Sequence, residues 1–302
     1  RFHILVQKMG NCIAFQLVCA QHDTNICQFS NAKSGFKTTQ TITRPPAVLL
    51  CRRGPSQKQN QSKQKTAPNM PEVLDYCDLG IREYAQAMKI QEHLVEKRKC
   101  GHIHDTLLLV EHHPVYTLGR HASETNILAP PDQLREWRIP VIRTTRGGQV
   151  TYHGPGQLVG YPILDLAAMR RGIEWYVGSL ETVVIRTLAE FGIHGGRDPR
   201  NRGVWVAGKK IAAIGVRVTR GITMHGFALN VCMDLTPYDG IIPCGIPGAG
   251  VTSLHLLAEG VNMTAVKETV VRQFRAVFGY SEVTLVRHLT CTQDCVAEER
   301  SE

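Results

Sequence analysis

Hydrophobic residues recur with a regular period only after about residue 70 of this 302-residue chain. Over residues 80–97, the apolar positions Ile81, Tyr84, Met88 and Leu94 fall three to six residues apart on one side of a helix, which is typical of an amphipathic helix. Similar patterns predict further helices at residues 131–137, 174–191 and 264–278.

Continuous or alternating apolar runs predict β-strands in the same part of the chain. The predicted strands span residues 106–111, 139–143, 158–164, 203–207, 210–218, 223–230 and 283–286. Gly208 and Lys209 are the predicted turn of a hairpin between two of these strands. Because strands come in runs and helices are interspersed without strict alternation, the sequence predicts the α+β class, with a mixed β-sheet packed with helices.

The net charge of the chain comes from its first 70 residues. The whole chain has a formal net charge of +9, and residues 1–70 hold ten basic residues against one acidic residue. From residue 71 onward, 25 basic and 25 acidic residues cancel, so the body lacks the excess positive charge typical of nucleic-acid binding. We therefore exclude nucleic acid as a partner, and no run approaches the ~18 apolar residues of a membrane span.

Residues 1–70 are predicted to form a disordered basic extension, because their Ser-, Thr-, Gln- and Lys-rich part cannot bury a core. The composition fits a transit peptide, a weak secretory signal around the apolar run 12–20, or untranslated sequence upstream of a start at Met70. The catalytic domain is predicted to span residues 71–287, followed by a C-terminal tail at 288–302.

Ten cysteines are present and none forms a C-x-x-C pair, which indicates a reducing compartment rather than a disulfide scaffold. Cys291 and Cys295 lie four residues apart without a second His/Cys pair nearby, so no metal site is predicted. Cys244 lies between Pro243 and Gly245 in an irregular segment, a placement on which nucleophiles are often presented. Its position alone is explained equally well by a buried, inert thiol.

The densest unusual segment is R-G-G-Q-V-T-Y-H-G-P-G-Q, residues 146–157, which holds four glycines and one proline. Such a loop lets backbone N–H groups lie close to a ligand, although a tight connection without a ligand has the same composition. It matches neither the phosphate loop G-x-x-x-x-G-K-[ST] nor the dinucleotide motif G-x-G-x-x-G, so a nucleotide is not implied. His153 in this segment and His225 further along are candidates for proton handling or for structural hydrogen bonds.

Two adjacent lysines enter the predicted strand 210–218 and must point to opposite sides of it. Lys210 shares its side with Ala212 and other apolar residues, so it is predicted to be buried, whereas Lys209 lies on the other side. A buried ammonium beside Cys244 would raise the fraction of thiolate, the reactive form of the thiol. The alternative is a lysine that extends from the end of a strand to solvent.

Four segments together resemble the motif series of the lipoyl(octanoyl) transferases: residues 146–157, 208–215, 225–230 and 243–245. The resemblance covers about residues 72 to 280 and implies the biotin/lipoate protein ligase fold, a catalytic domain similar to those of class II aminoacyl-tRNA synthetases. It implies that octanoyl moves from octanoyl-acyl carrier protein to a lysine of a lipoyl domain, the first step of lipoate biosynthesis. No cofactor and no metal are implied.

Carried over position by position, the resemblance makes Cys244 the nucleophile of a thioester acyl-enzyme. It makes Lys210 the residue that lowers the pKa of this thiol and shuttles protons. The acyl-binding residues that it implies are Arg146, Gly147, Gly148, Gln149, Val150, Thr151, Tyr152, His153, Ala213, Ile214, Gly215, Gly226, Phe227 and Ala228. One departure is His113 in E-H-H-P-V, where the family usually has proline.

The acceptors implied by the resemblance are lipoyl domains of 2-oxoacid dehydrogenase acyltransferase subunits and the glycine cleavage H protein, with the enzyme acting as a monomer. This activity is mitochondrial in animals and fungi and cytoplasmic in bacteria, and the extension favours the mitochondrial form. The alternatives are an ATP-dependent lipoate–protein ligase of the same fold and a catalytically silent scaffold that binds lipoyl domains. Cys244 and the H-G-P-G-Q string argue against the ligase, and Cys244 together with Lys210 argues against the scaffold.

Overall fold

The computed structural model describes residues 2–9, 12–19, 72–199, 201–245 and 250–287. The chain divides into two compact units, Arg1–Lys63 and Gln64–Glu302. In the first unit, β1 (Phe2–Met9) and β2 (Cys12–Cys19) pair as an antiparallel hairpin, where the sequence predicts disorder. The rest of the predicted extension and the C-terminal tail lie outside the described residues, so for them the expectation stays a prediction.

The strands of the second unit form two sheets. In chain order they are β3 (Val73–Arg82), β4 (Asp105–His112), β5 (Val115–Leu118), β6 (Val141–Arg143), β7 (Val150–His153), β8 (Gln157–Ile163), β9 (Gly196–Asp198), β10 (Asn201–Val206), β11 (Lys209–Thr219), β12 (Ile222–Asn230) and β13 (Glu282–Leu285). The large sheet has the order β13-β3-β4-β8-β12-β11-β10-β9. Its first three strands are parallel and its remaining neighbours are antiparallel, so the predicted mixed sheet is confirmed.

Helices cover both faces of the large sheet. The helices are α1 (Tyr84–Lys99), α2 (Pro131–Trp137), α3 (Ile173–Glu190) and α4 (Met263–Phe278). One core contains the apolar sides of α3 and α4, with Phe274 and Phe278 fully buried, and a second core contains Ala87 and Leu94 of α1. Burial of a large apolar side chain stabilises the fold by roughly 1.5–3 kcal/mol, so these stripes hold the helices on the sheet. No described helix is long and apolar enough to cross a membrane.

The small sheet has the order β6-β5-β7 and packs its own apolar cluster with α2 and the segment that follows β12. Its strand β7 lies inside the glycine-rich string, for which the sequence predicted only a loop. Four residues are too few to show a clear period, and β7 is stabilised by antiparallel pairing with β5, with Val115 opposite His153. The glycine-rich string is therefore a loop, a short strand and a turn.

Two boundaries differ from the predictions for physical reasons. The predicted helix start at residue 80 is wrong, because β3 continues to Arg82 through an irregularity at Gly80, whose φ is +64°. The hairpin between β10 and β11 turns at Ala207 and Gly208, one residue earlier than predicted. Both have positive φ (+46° and +77°), as the favoured two-residue hairpin turns require.

Candidate active site

Small residues on neighbouring strands form the floor of a cleft. Ala213 and Gly215 of β11 lie directly opposite Ala228 and Gly226 of β12, so all four share one face of the sheet. A Cβ atom on Gly226 would lie 2.1 Å from the carbonyl oxygen of Gly160 on β8, which leaves no room for a side chain there. All four residues line one cleft, which holds about 530 Å³ of empty space, part of it open to solvent.

Arg146 fixes the loop that covers this cleft. Arg146 is 8% exposed, and its Nη2 donates hydrogen bonds to the carbonyl oxygen and the Oγ1 of Thr117, at 2.6 and 2.8 Å. Its Nη1 donates to the carbonyl oxygen of Gly147, and the Gly147 N–H donates to the carbonyl oxygen of Val216 on β11. The loop is thereby tied to both sheets, and hydrogen bonds to a charged group are worth roughly 1.5–3 kcal/mol each.

The cleft brings together most of the acyl-binding residues implied by the resemblance. Its lining includes Arg146, Gly148, Gln149, Val150, Thr151, His153, Ala213, Ile214, Gly215, Gly226, Phe227 and Ala228. Gly147 and Tyr152 do not line it, and the Tyr152 ring packs edge-on against Tyr116 and Tyr238 in the small-sheet cluster. Tyr152 points away from Thr151 and His153 because side chains alternate along β7.

Further residues line the cleft that the sequence did not single out as acyl-binding. They are Tyr84, Val159, Tyr161, Asn201 and His225. Tyr84 begins α1, whereas Val159 and Tyr161 share the floor because they alternate along β8 next to β12. The alternation on β8 was readable in the sequence, but the pairing that puts it beside β12 was not.

Histidines at the end of the cleft near α1 are held in the neutral form. Burial, followed by the nearby His112 and Arg146, lowers the pKa of His153 well below its ordinary value of 6.5. Burial also lowers the pKa of His112 to about 4. His112 donates from Nδ1 to the carbonyl oxygen of Arg82 and accepts from the Tyr161 hydroxyl at Nε2, at 3.1 and 2.7 Å.

His225 enters the cleft through a local break in strand geometry. Its φ of +60° is in the left-handed region, although it lies within β12, and its Nε2 is 3.1 Å from the Thr145 hydroxyl. A non-glycine residue with this φ costs energy and is concentrated at functional sites. Burial, followed by the charge of Arg146, lowers the pKa of His225 to about 3, so its imidazole is neutral near pH 7.

Lys210 is buried and Lys209 is exposed, as the alternation predicts. The Lys210 Nζ donates hydrogen bonds to Asn201 Oδ1 at 2.9 Å and to the carbonyl oxygen of Arg202 at 3.1 Å. It also lies 4.7 Å from the centre of the Trp205 ring, within range of a cation–π interaction. Lys210 therefore has a preformed surrounding of oxygen atoms and an aromatic face.

The backbone around Cys244 lies between Lys210 and the cleft. Pro243 and Lys210 line the same small pocket, and Gly245 lies beside Gln149 at the cleft, where an added Cβ would be 3.2 Å from Gln149 Cγ. The side chain of Cys244 itself lies outside the described residues, so its contact with Lys210 stays a prediction.

A buried amide network links the cleft to the Lys210 segment. Gln157 donates to Asn230 Oδ1 at 2.9 Å, and its own Oε1 accepts from His153 Nδ1 at 2.7 Å. Asn230 in turn donates to the carbonyl oxygen of Thr252, whose N–H donates to the carbonyl oxygen of Lys210. This network fixes the tautomer of His153, leaving Nε2 as its acceptor.

Comparison with known proteins agrees with this geometry. Residues 83–275 match the family described as lipoyl protein ligase A/B catalytic domain. The octanoyltransferase of Alkaliphilus metalliredigens is 46% identical over 215 residues, covering 70% of this chain and 99% of the relative. The octanoyltransferase of Rubrobacter xylanophilus is 50% identical over 203 residues, covering 66% and 91%.

The chain belongs to the octanoyltransferase family. It is therefore an acyltransferase of lipoate biosynthesis. Solved structures place the octanoyltransferase in the predicted fold: lipoate-protein ligase A bound with ATP superposes with a TM-score of 0.59 at 15% identity, covering 76% of this chain and 94% of that one. A bi-partite lipoate protein ligase from Thermoplasma acidophilum superposes with a TM-score of 0.58 at 16% identity, covering 76% and 92%.

Proposed function

We propose that this octanoyltransferase takes octanoyl from octanoyl-acyl carrier protein onto Cys244 as a thioester and passes it to a lysine of a lipoyl domain. The observation that carries the proposal is the position of the turn Pro243–Gly245, between the buried Lys210 and the cleft floored by glycine and alanine. The cleft accepts the octanoyl chain, and Lys210 stabilises the thiolate of Cys244. No nucleotide takes part.

The reaction proceeds in two balanced steps. In the first, the Cys244 thiolate attacks the thioester carbonyl, the bond to the carrier sulfur breaks, and the carrier leaves as a thiol after taking a proton from the Lys210 ammonium. In the second, the neutral lysine amine attacks the Cys244 thioester and Cys244 leaves as thiolate. Lys210 takes up the proton that the amine loses. Exchange of one thioester for another changes the free energy little, which is why activation by ATP is unnecessary.

The acceptor is proposed from the chemistry of the family and from one structural relative. The Thermoplasma acidophilum ligase was solved as part of a lipoylation system with its E2 lipoyl domain. We extend this acceptor class to the present chain, which would then serve 2-oxoacid dehydrogenase acyltransferase subunits and the glycine cleavage H protein. Mitochondrial location stays a prediction, tested by sequencing the N-terminus of the endogenous protein from isolated mitochondria.

Intact mass spectrometry after incubation with octanoyl-acyl carrier protein tests the covalent intermediate. The wild type is expected to gain one octanoyl group, and Cys244→Ser is expected to gain none. Cys232→Ser is the matched control, because Cys232 is an exposed free thiol only twelve positions away and should not affect the adduct. Hydroxylamine should remove the octanoyl group, since thioesters are cleaved by this nucleophile.

Three results would contradict the proposal in different ways. If octanoylation of a lipoyl domain requires ATP and free octanoate, the chain uses ligase chemistry. If Cys244→Ser retains the adduct while Cys232→Ser loses it, the nucleophile has been assigned to the wrong cysteine. Absence of both adduct and transfer would favour the silent scaffold.

A further inference from the structure

A single peptide group, between Arg202 and Gly203, lies between two charged side chains. Its carbonyl oxygen accepts a hydrogen bond from Lys210 Nζ at 3.1 Å. Its N–H, at residue 203, donates to Glu181 Oε1 at 3.1 Å. Because the C=O and N–H of a planar trans peptide point in opposite directions, the ammonium and the carboxylate lie on opposite sides of the same group.

Glu181 is a buried carboxylate, whose side chain is only 2% exposed on α3. Its Oε2 accepts from Arg197 Nε at 2.7 Å, and Arg202 Nη1 lies 4.0 Å away. Arg197 is itself fixed to the helix, since its Nη2 donates to the carbonyl oxygen of Gly178 and to Thr182 Oγ1. Buried carboxylates are rare unless paired, and Glu181 pairs with Arg197 through Oε2 while its Oε1 accepts from the Gly203 N–H.

Gly203 lets the peptide group take this position. Its φ is +127°, and an added Cβ would lie 2.4 Å from the carbonyl oxygen of Ala212 and 3.4 Å from Lys210 Cε. Both the backbone conformation and the close approach require glycine. The pairing of β10 with β11 also shifts register between Val204 and Trp205, directly after this residue. The local chain is therefore shaped around the contact between Glu181, the peptide and Lys210.

We propose that Glu181 is a positioning residue for Lys210 and supplies its counter-charge through the Arg202–Gly203 peptide. The carboxylate polarises the peptide by accepting from its N–H, and this strengthens the hydrogen bond that its carbonyl oxygen accepts from the ammonium. Glu181 thereby holds the Lys210 ammonium in place beside the turn Pro243–Gly245 without contacting the substrate. This inference rests on the proposed role of Lys210 in the transfer reaction.

Other charged and titratable groups surround Glu181, the Arg202–Gly203 peptide and Lys210. Arg197 and Arg202 face the Glu181 carboxylate, and Tyr238 lines the small pocket with Lys210. Cys244 is the proposed partner on the cleft side. The two arginines oppose the effect of Glu181 on Lys210, which is why the proposal is tested by removing the carboxylate charge alone.

Glu181→Gln tests the proposal in the full chain, with octanoyl-acyl carrier protein as donor and a lipoyl domain as acceptor. The amide keeps the shape and an oxygen acceptor for the Gly203 N–H but removes the charge. We expect kcat to fall about tenfold, which corresponds to about 1.4 kcal/mol of lost transition-state stabilisation. The KM for the donor should stay unchanged. The pH–rate profile should also change in Glu181→Gln, because Glu181 accepts from the peptide group whose carbonyl oxygen contacts Lys210.

Glu190→Gln is the matched control, because it removes a charge from the same helix at a pair with Arg272 far along the helix from residue 181. Glu181→Asp, which keeps the charge, should restore part of the rate. In a Lys210→Met background, Glu181→Gln should have little further effect, since interacting residues are not additive.

The outcomes separate this inference from the proposed function. If Lys210→Met alone retains full transfer, the proposed role of Lys210 is wrong. If Lys210→Met is inactive but Glu181→Gln leaves kcat and the pH profile unchanged, Glu181 is not its counter-charge. An equal loss in Glu181→Gln and Glu181→Asp, accompanied by an equal fall in Tm, assigns Glu181 a structural role and overturns the inference.

Discussion

Two groups of buried ionisable residues next to the cleft have different surroundings, one at each of its ends. At one end, oxygen atoms of Asn201 and Arg202 accept hydrogen bonds from Lys210. At the other end, burial lowers the pKa of His112 and His153, and the Arg146 guanidinium adds to the effect on His153. Both groups are buried, so the difference lies in their partner atoms: β10 supplies oxygen acceptors to Lys210, whereas the two histidines pack against aromatic rings.

The largest expected effect is at the Lys210 end, where Lys210→Met is compared with Lys209→Met. Lys210→Met should lower the rate of octanoyl transfer by about 10²- to 10⁴-fold, the usual contribution of a proton-handling group. Lys209→Met should stay within about twofold of wild type, since Lys209 is exposed on the other side of β11. Steady-state transfer to a lipoyl domain measures both, and equal losses in the two variants would contradict the comparison.

The neutral end is tested by the pH dependence of stability. Because the folded-state pKa of His112, about 4, lies below its ordinary value of 6.5, the unfolded chain takes up this proton first. The stabilisation is complete above about pH 6.5 and is lost as the pH falls toward 4, by about 3 kcal/mol for this residue alone. Urea unfolding between pH 4 and 7.5 measures the free energy of unfolding across this window.

His112→Gln should make the free energy of unfolding less dependent on pH, because the amide does not titrate. The change in slope should correspond to about one proton taken up on unfolding. His104→Gln is the matched control, since the His104 side chain is 65% exposed and lies outside the cleft. A slope that stays the same in His112→Gln would mean that the acid sensitivity arises elsewhere.

The floor between the two ends should set how much acyl chain the cleft accepts. Ala213→Val adds two methyl carbons beside Ala228, so kcat/KM for octanoyl-acyl carrier protein should fall about tenfold. The value for butanoyl-acyl carrier protein should change little, and Ala213→Gly, which adds no volume, should keep the octanoyl rate. Equal effects on both chain lengths would show that the floor does not contact the distal carbons.

Many residues of the cleft could be predicted because they lie in short, continuous stretches of the sequence. The alternation that separates Lys210 from Lys209 depends only on strand periodicity, and it was correct. Asn201 was not predictable, since its contact with Lys210 depends on the pairing of β10 with β11 across a register shift. The positive φ of His225 was equally hidden, because a histidine within an apolar run gives no local sign of left-handed backbone.

The elements of the fold also divide into those that the sequence predicted and those that it did not. Long helices with a clear apolar period, such as α3 and α4, were predicted to within one or two residues. The short strands β5, β7 and β9 were missed, because three or four residues gain most of their stabilisation from a partner strand. The ten-residue strand β3 was missed as well, because Asp75, Asp78 and Gly80 interrupt its apolar pattern. Sequence periodicity therefore describes the large sheet better than the small sheet that covers the cleft.

The segment that carries Cys244 is fixed at both ends by main-chain hydrogen bonds. The N–H of Ile242 donates to the carbonyl oxygen of Asn126 at 2.8 Å, and the carbonyl oxygen of Gly250 accepts from the N–H of Lys210 at 2.9 Å. These bonds do not depend on which side chains lie between them. The ends of this segment therefore stay in place when Cys244 is substituted, so a loss of activity in Cys244→Ser would reflect the missing thiol and not a displaced chain.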